Sequence, residues 1–119
     1  MTFDDLYRDL LTIVSAAGAR PDVPAESEAF FSNVIEQFHG SREDCLRYIH
    51  GNVRAWFRCV SDLPRWIQDA NWQFSEGKPM VFVGQIDIPH SAGYLHDDSS
   101  FFVFWNPDTG ETKTVIQVY

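Results

Sequence analysis

The chain has 119 residues, 45% of them apolar and 15% aromatic, and a formal charge of −8. That is enough length and apolar material for a single domain with one core, and it argues against disorder. The acidic balance excludes nucleic acid and an anionic membrane as partners, because each requires a basic footprint, and it favours a basic partner. No apolar run approaches the roughly 20 residues of a membrane-spanning helix, and the opening MTFDDLYRDLL is acidic where a secretory leader is basic, so a cytoplasmic protein is expected.

Charge is unevenly distributed. Residues 1–41 carry seven acids against Arg8 and Arg20, residues 42–65 carry five arginines against Glu43, Asp44 and Asp62, and residues 66–119 carry seven acids against Lys78 and Lys113.

In chain order, Thr2 with Asp5 three residues on is a capping-box-like start, and Phe3, Leu6, Tyr7, Leu10, Ile13, Val14 and Ala17 then recur at helical spacing. This predicts a helix over 3–17 that Gly18 stops. Pro21 and Pro24 interrupt the pattern, and Pro24 is suited to open a second helix over 25–38, with Phe30, Phe31, Val34, Ile35 and Phe38 on one face. Ser41 with Asp44 repeats the cap and predicts a third helix over 42–60. On it Leu46, Ile49, Val53, Trp56, Phe57 and Val60 share one sector, and Arg47, Arg54 and Arg58 lie nearly opposite. Cys45 and Cys59 on that one helix would stand about 21 Å apart, so free, buried thiols are expected.

From Pro64 the helical period is lost. Residues 75–79, SEGKP, have turn composition and lead into MVFVGQIDI, 80–88, the run that reads most like a structural core. Strict alternation puts Met80, Phe82, Gly84, Ile86 and Ile88 in one row and Val81, Val83, Gln85 and Asp87 in the other, a strand buried at its start and wetted at its end. A polar loop, 89–100, is about twice the usual connection length. It is followed by the apolar run 101–105, hairpin chemistry at 106–110 and a returning strand over 112–118. Helices first and strands last predict an α+β domain, N-terminal helices packed on one face of a C-terminal antiparallel β-sheet, with a helical half (1–63) and a β-rich half (64–119) of one domain.

The phrases PRWIQ (64–68), GKPMVFVGQIDIP (77–89) and the tail from Phe101 to Gly110 resemble the YwqG-like group of bacterial proteins over roughly residues 64–119, matching at Gly77, Pro79, Gln85, Ile86 and Asp87. The resemblance implies a β-rich core and no catalytic residues. By analogy of class, small acidic single-domain proteins are common among the immunity proteins of bacterial antagonism.

No motif for a nucleophile, a phosphate loop or a metalloprotease is present. Ser91, Ser99, Ser100, Asp87, His90, His96, Asp97 and Asp98 are conceivable acids, bases and nucleophiles without a recognisable arrangement, and the histidine spacing fits no zinc template. No cofactor, metal or catalytic residue is therefore expected. The expected function is a non-enzymatic binding protein, an immunity protein that inhibits a cognate toxin with a basic surface, through Glu76, Asp87, His90, His96, Asp97 and Asp98. The arginine row Arg47, Arg54 and Arg58 is the alternative surface, weighed against a solvated face that pairs with its own acids. Other readings are a small YwqG-like enzyme or ligand-binding domain using the 89–100 loop, and an adaptor of a larger assembly. Trp66, Trp72 and Trp105 are expected in the core, with binding anchors as the alternative.

Overall fold

The computed structural model describes residues 2–20, 24–38, 40–92 and 97–119, with the side chains of 24–26 left undescribed. Three helices, α1 (Phe3–Ala16), α2 (Pro24–Gln37) and α3 (Arg42–Trp56), precede a two-stranded hairpin, β1 (Phe74–Ser75) and β2 (Lys78–Pro79), and an antiparallel sheet of β3 (Val81–Ile88), β4 (Ser99–Trp105) and β5 (Thr112–Val118) in the order β3-β4-β5. The fold is α+β.

The starts of α1 and α3 follow from their caps. Thr2 and Asp5 form a full capping box on α1, and the Ser41 side chain accepts from Asp44 N on α3. At the end of α1, Gly18 takes φ 74°, its N–H donates to Ser15 O and that of Ala19 to Val14 O, a Schellman closure that requires a left-handed residue. The apolar stripes Leu6, Leu10, Val14 (α1), Phe31, Ile35 (α2) and Cys45, Ile49, Val53 (α3) enter one core, and Arg42 ties α3 to α1 through Asp9 at 2.7 Å.

α3 ends at Trp56, short of the expected residue 60. The cause lies in Phe57, which leaves the helical path to pack edge-on against Trp72 and Phe74. The backbone beyond it then pairs with the outer edge of β3: Phe82 N donates to Arg58 O and Val60 N to Phe82 O, each at 2.9 Å. Cys59 sits in that bridge, so the two cysteines do not share a helix; both are free thiols, Cys45 buried and Cys59 half-buried. Burial raises the pKa of each. Covering an edge strand with a peptide segment removes a site of unwanted pairing.

Between helices and sheet lies an aromatic belt. Trp66 stacks on Phe102 with ring centroids 4.5 Å apart and donates Nε1 to Gly18 O, and Trp72 donates Nε1 to Met80 O while packing on Phe104. Trp66 and Trp72 thus join the core, whereas Trp105 is 39% exposed. The helices' main β contacts are with β1 and β2, and the belt carries the core on to Phe82, Phe102 and Phe104, giving an elongated molecule of 55 × 29 × 25 Å.

The alternation expected along 80–88 breaks at Val83. Phe82 pairs with Phe104 but Gly84 pairs with Val103, so Val83 is the extra residue of a β-bulge. One inserted residue flips every later side chain to the opposite face. Met80 and Phe82 point inward, while Ile86, in register with Phe101, turns outward, and Gln85 and Asp87, in register with Phe102 and Ser100, turn inward. Segment 75–79, expected only as a turn, belongs to a hairpin of residues 74–79 in which Glu76 (φ 54°) and Gly77 (φ 70°) form the two central residues between the pair Ser75 and Lys78. Two consecutive positive φ values are those of a type I′ turn, which matches strand twist. β4 begins at Ser99, two residues before the expected strand.

Candidate partner-binding surfaces

The bulge leaves the inner face of the sheet polar at its far end. The register aligns Asp87, Ser100 and Gln117 in one row. Each polar group there is used. Gln117, almost fully buried, accepts from Ile67 N (2.9 Å) and Gln68 N (3.0 Å) and donates to Asp69 O (2.8 Å), so one amide fastens the irregular 64–72 segment to the sheet. Asp87 accepts from Ser100 Oγ (2.5 Å), Gln85 Nε2 (2.9 Å) and Arg65 Nη2 (3.0 Å). The hydroxyl and amide donors, then the guanidinium, hold its carboxyl below the usual range. Gln85 also accepts from Arg65 N at 2.8 Å.

Two residues before Ser100, Asp98 accepts from His90 N at 2.7 Å and lies 2.8 Å from His90 Nδ1. These two donors lower its pKa. The pair closes the stems of the loop between β3 and β4, and Asp98 O also accepts from Tyr119 N at 3.0 Å. Asp97 is exposed beside it. The expected acidic surface is therefore assembled at this end from Asp87, His90, Asp97 and Asp98, with the first and last of the acids holding the structure together; His96 lies outside the described residues.

Glu76 belongs to the opposite end of the sheet. It is exposed on the β1–β2 turn, in a shallow site shared with Ser75, Glu111 and Lys113, about 20 Å along the strands from Asp98. There the Ser75 hydroxyl donates to Glu111, Asn106 Nδ2 donates to Ser75 Oγ at 3.0 Å, and Lys113 Nζ donates to Phe74 O at 2.7 Å. These bonds join the small hairpin to the 106–111 turn. The acids thus form two groups, one at each end.

The alternative arginine row is also divided. Arg47 and Arg54 are exposed on α3, Arg47 within 3.3 Å of Asp44, but Arg58 has left the helix for the β3 edge. Next to this helix a cleft of about 400 Å³ opens between α2 and α3, floored by Phe30, Phe38, Tyr48 and Trp56 with Asn33 and Gln37 at its rim. Among the described residues, no three His, Cys, Asp or Glu side chains converge as a metal site requires.

The outer face of the sheet is the surface that sequence reasoning missed. Ile86, Phe101 and Ile116 form a row across the three strands, flanked by Val103 and Thr114 on one side and Ile88 and Val118 on the other. Ile86 is 55% and Ile116 59% exposed, and no strand position on this face carries a formal charge. Patches of this kind mark interaction sites in soluble proteins. The signal available in the sequence was Gly84, since glycine inside a strand pattern marks a bulge and hence a change of face.

Among the described residues no helix is long and apolar enough to cross a membrane. Compared with protein-family models, with curated proteins and with solved structures, the chain gives no match.

Proposed function

We propose that this chain is a non-enzymatic binding protein of the bacterial cytoplasm, an immunity protein that captures and inhibits a cognate toxin with a basic surface. The observation that carries the reading is the disposition of charge. Arg42, Arg47 and Arg65 are offset locally by Asp9, Asp44 and Asp87, and with 17 acids against 9 cations along the chain a surplus of carboxylates remains, Asp97 and Glu76 among those exposed. A field of that sign accelerates encounter with a cationic partner and is weakened by salt. The His90–Asp98 and Arg65–Asp87 pairs give the acidic end rigid stems, which limits the ordering cost of binding.

The test is co-expression with the product of the adjacent reading frame. Growth arrest by that product alone, relieved by this chain, is the expected result. A purified complex should then associate more slowly in added salt and in Asp97→Lys with Glu76→Lys. Growth unaffected by the neighbour's product, or a complex indifferent to both salt and charge reversal, contradicts the reading.

A further inference from the structure

We infer that the outer face of the β3-β4-β5 sheet is a self-association surface, on which a second copy of this chain packs face to face about a two-fold axis running along β4. This goes beyond the proposed function and does not depend on it, because it uses a different surface and a different force.

Three observations single out a second copy as the occupant. The first is charge. An acidic chain selects basic partners at its carboxylates, but the outer strand positions offer none: the acids nearest this face, Asp97, Asp98, Asp108 and Glu111, lie beyond the strand ends, and Lys113 points to the inner side. A neutral patch is the part of a −8 molecule that a like molecule can approach with least repulsion. The second is pattern. With Phe101 central and isoleucine on either side, a rotation about β4 lays Ile86 of one copy over Ile116 of the other, and Phe101 meets its own counterpart. An isologous interface demands such a self-complementary patch. The third is area. The exposed fractions of Ile86, Ile116, Trp105, Val118 and Thr114, with the part-exposed Phe101, Val103 and Ile88, represent on the order of 600 Å² per copy, the lower bound of specific interfaces at roughly 600–1,000 Å² per partner.

The product is a sandwich with sheets about 10 Å apart, strands aligned, and the helical layer of each copy on the outside. An interface at the lower bound of area forms reversibly. Its salt dependence follows from the same facts: the copies attract through apolar burial and repel through net charge, so screening strengthens the dimer. That sign is opposite to capture of a basic partner by carboxylates.

Sedimentation equilibrium of the full chain over a wide concentration range, at low and high salt, tests this. A monomer–dimer equilibrium that tightens several-fold on raising salt is expected. Ile86→Lys with Ile116→Lys should shift it to monomer by at least tenfold in dissociation constant, and Thr114→Lys, at an already exposed position, should weaken it without any demand on folding. Asp97→Lys should leave it intact or tighten it, while slowing capture of a basic partner. A chain that stays monomeric throughout, a dimer that persists in Thr114→Lys and in the folded double variant, a dimer that salt dissociates, or an open-ended series of oligomers overturns the inference. None of these results bears on whether the adjacent gene product is neutralised, so the two proposals fail separately.

Discussion

The two faces of the sheet are built from neighbouring residues and differ in almost everything else. Phe102 and Phe104 are fully buried against Trp66 and Trp72, whereas Phe101, Val103 and Trp105, one residue away in each case, look outward with Ile86 and Ile116. β4 is apolar on both sides, so its composition does not distinguish them. What does is the single extra residue at Val83, which sends Ile86 and Ile88 to the side of Phe101 and turns Gln85 and Asp87 to the side of Phe102 and Ser100, where Asp87 stays exposed at the strand end. Hydrophobicity supplies material for two cores, and the bulge decides which face the chain covers by itself.

The largest test of this contrast compares adjacent phenylalanines in dilute solution. Phe102→Ala should lose about 3–5 kcal/mol of stability through lost transfer energy and an unfilled cavity, and Phe101→Ala about 1 kcal/mol. Equal losses in urea unfolding would mean that both faces are core. Next in size, Gln117→Ala leaves the Ile67 and Gln68 amides without their acceptor and should cost about 2 kcal/mol, most visible as faster hydrogen exchange over 64–72. Protection unchanged there would remove Gln117 from its fastening role. A smaller effect of opposite sign belongs to Glu76: as a non-glycine in the left-handed region it is strained, so Glu76→Gly should stabilise by up to about 1 kcal/mol. A loss instead would indicate that the carboxylate makes a stabilising contact.

The smallest effect concerns pH. Asp87 and Asp98 have lowered folded-state pKa values, so each contributes stability that is present above the ordinary carboxylate range, near 4, and is lost as pH falls through the lowered folded value. Asp87→Asn should flatten the acid limb of the stability profile. An unchanged slope would show that the Ser100, Gln85 and Arg65 contacts favour neither protonation state.

Local chemistry made the helices legible: the Thr2 and Ser41 caps, Gly18 and the periodic stripes led to α1 and α2 within a residue at each end and to the start of α3. The end of α3 was not legible, because apolar period continues through Phe57 and Val60 while the stop is imposed by tertiary packing of Phe57 and by the edge of β3. The strands were placed, but their facing was not. Alternation assumes unbroken period 2, and a bulge is a pairing event between two segments, signalled in the sequence only by Gly84. The candidate site suffered for the same reason. Asp87 lies at a wet strand end as expected, but its turn to the side of Phe102 makes it an acceptor for Ser100 and Arg65, partners 13 and 22 residues away, which no local pattern signals. Glu76 was grouped with the loop acids by charge alone, and the topology separates them.

The most direct measurement of the central claim, that one face is core and the other an interface, is methyl NMR of the isoleucines with a soluble paramagnetic agent at rising protein concentration. In dilute solution the Ile86 and Ile116 methyls should broaden strongly while Ile49, fully buried, stays sharp, and on concentration Ile86 and Ile116, with the flanking Ile88, should gain protection while Ile49 does not change. Protection of Ile86 and Ile116 in dilute monomer would place them inside the chain's own core, and exposure unchanged at every concentration would leave the face without a second copy.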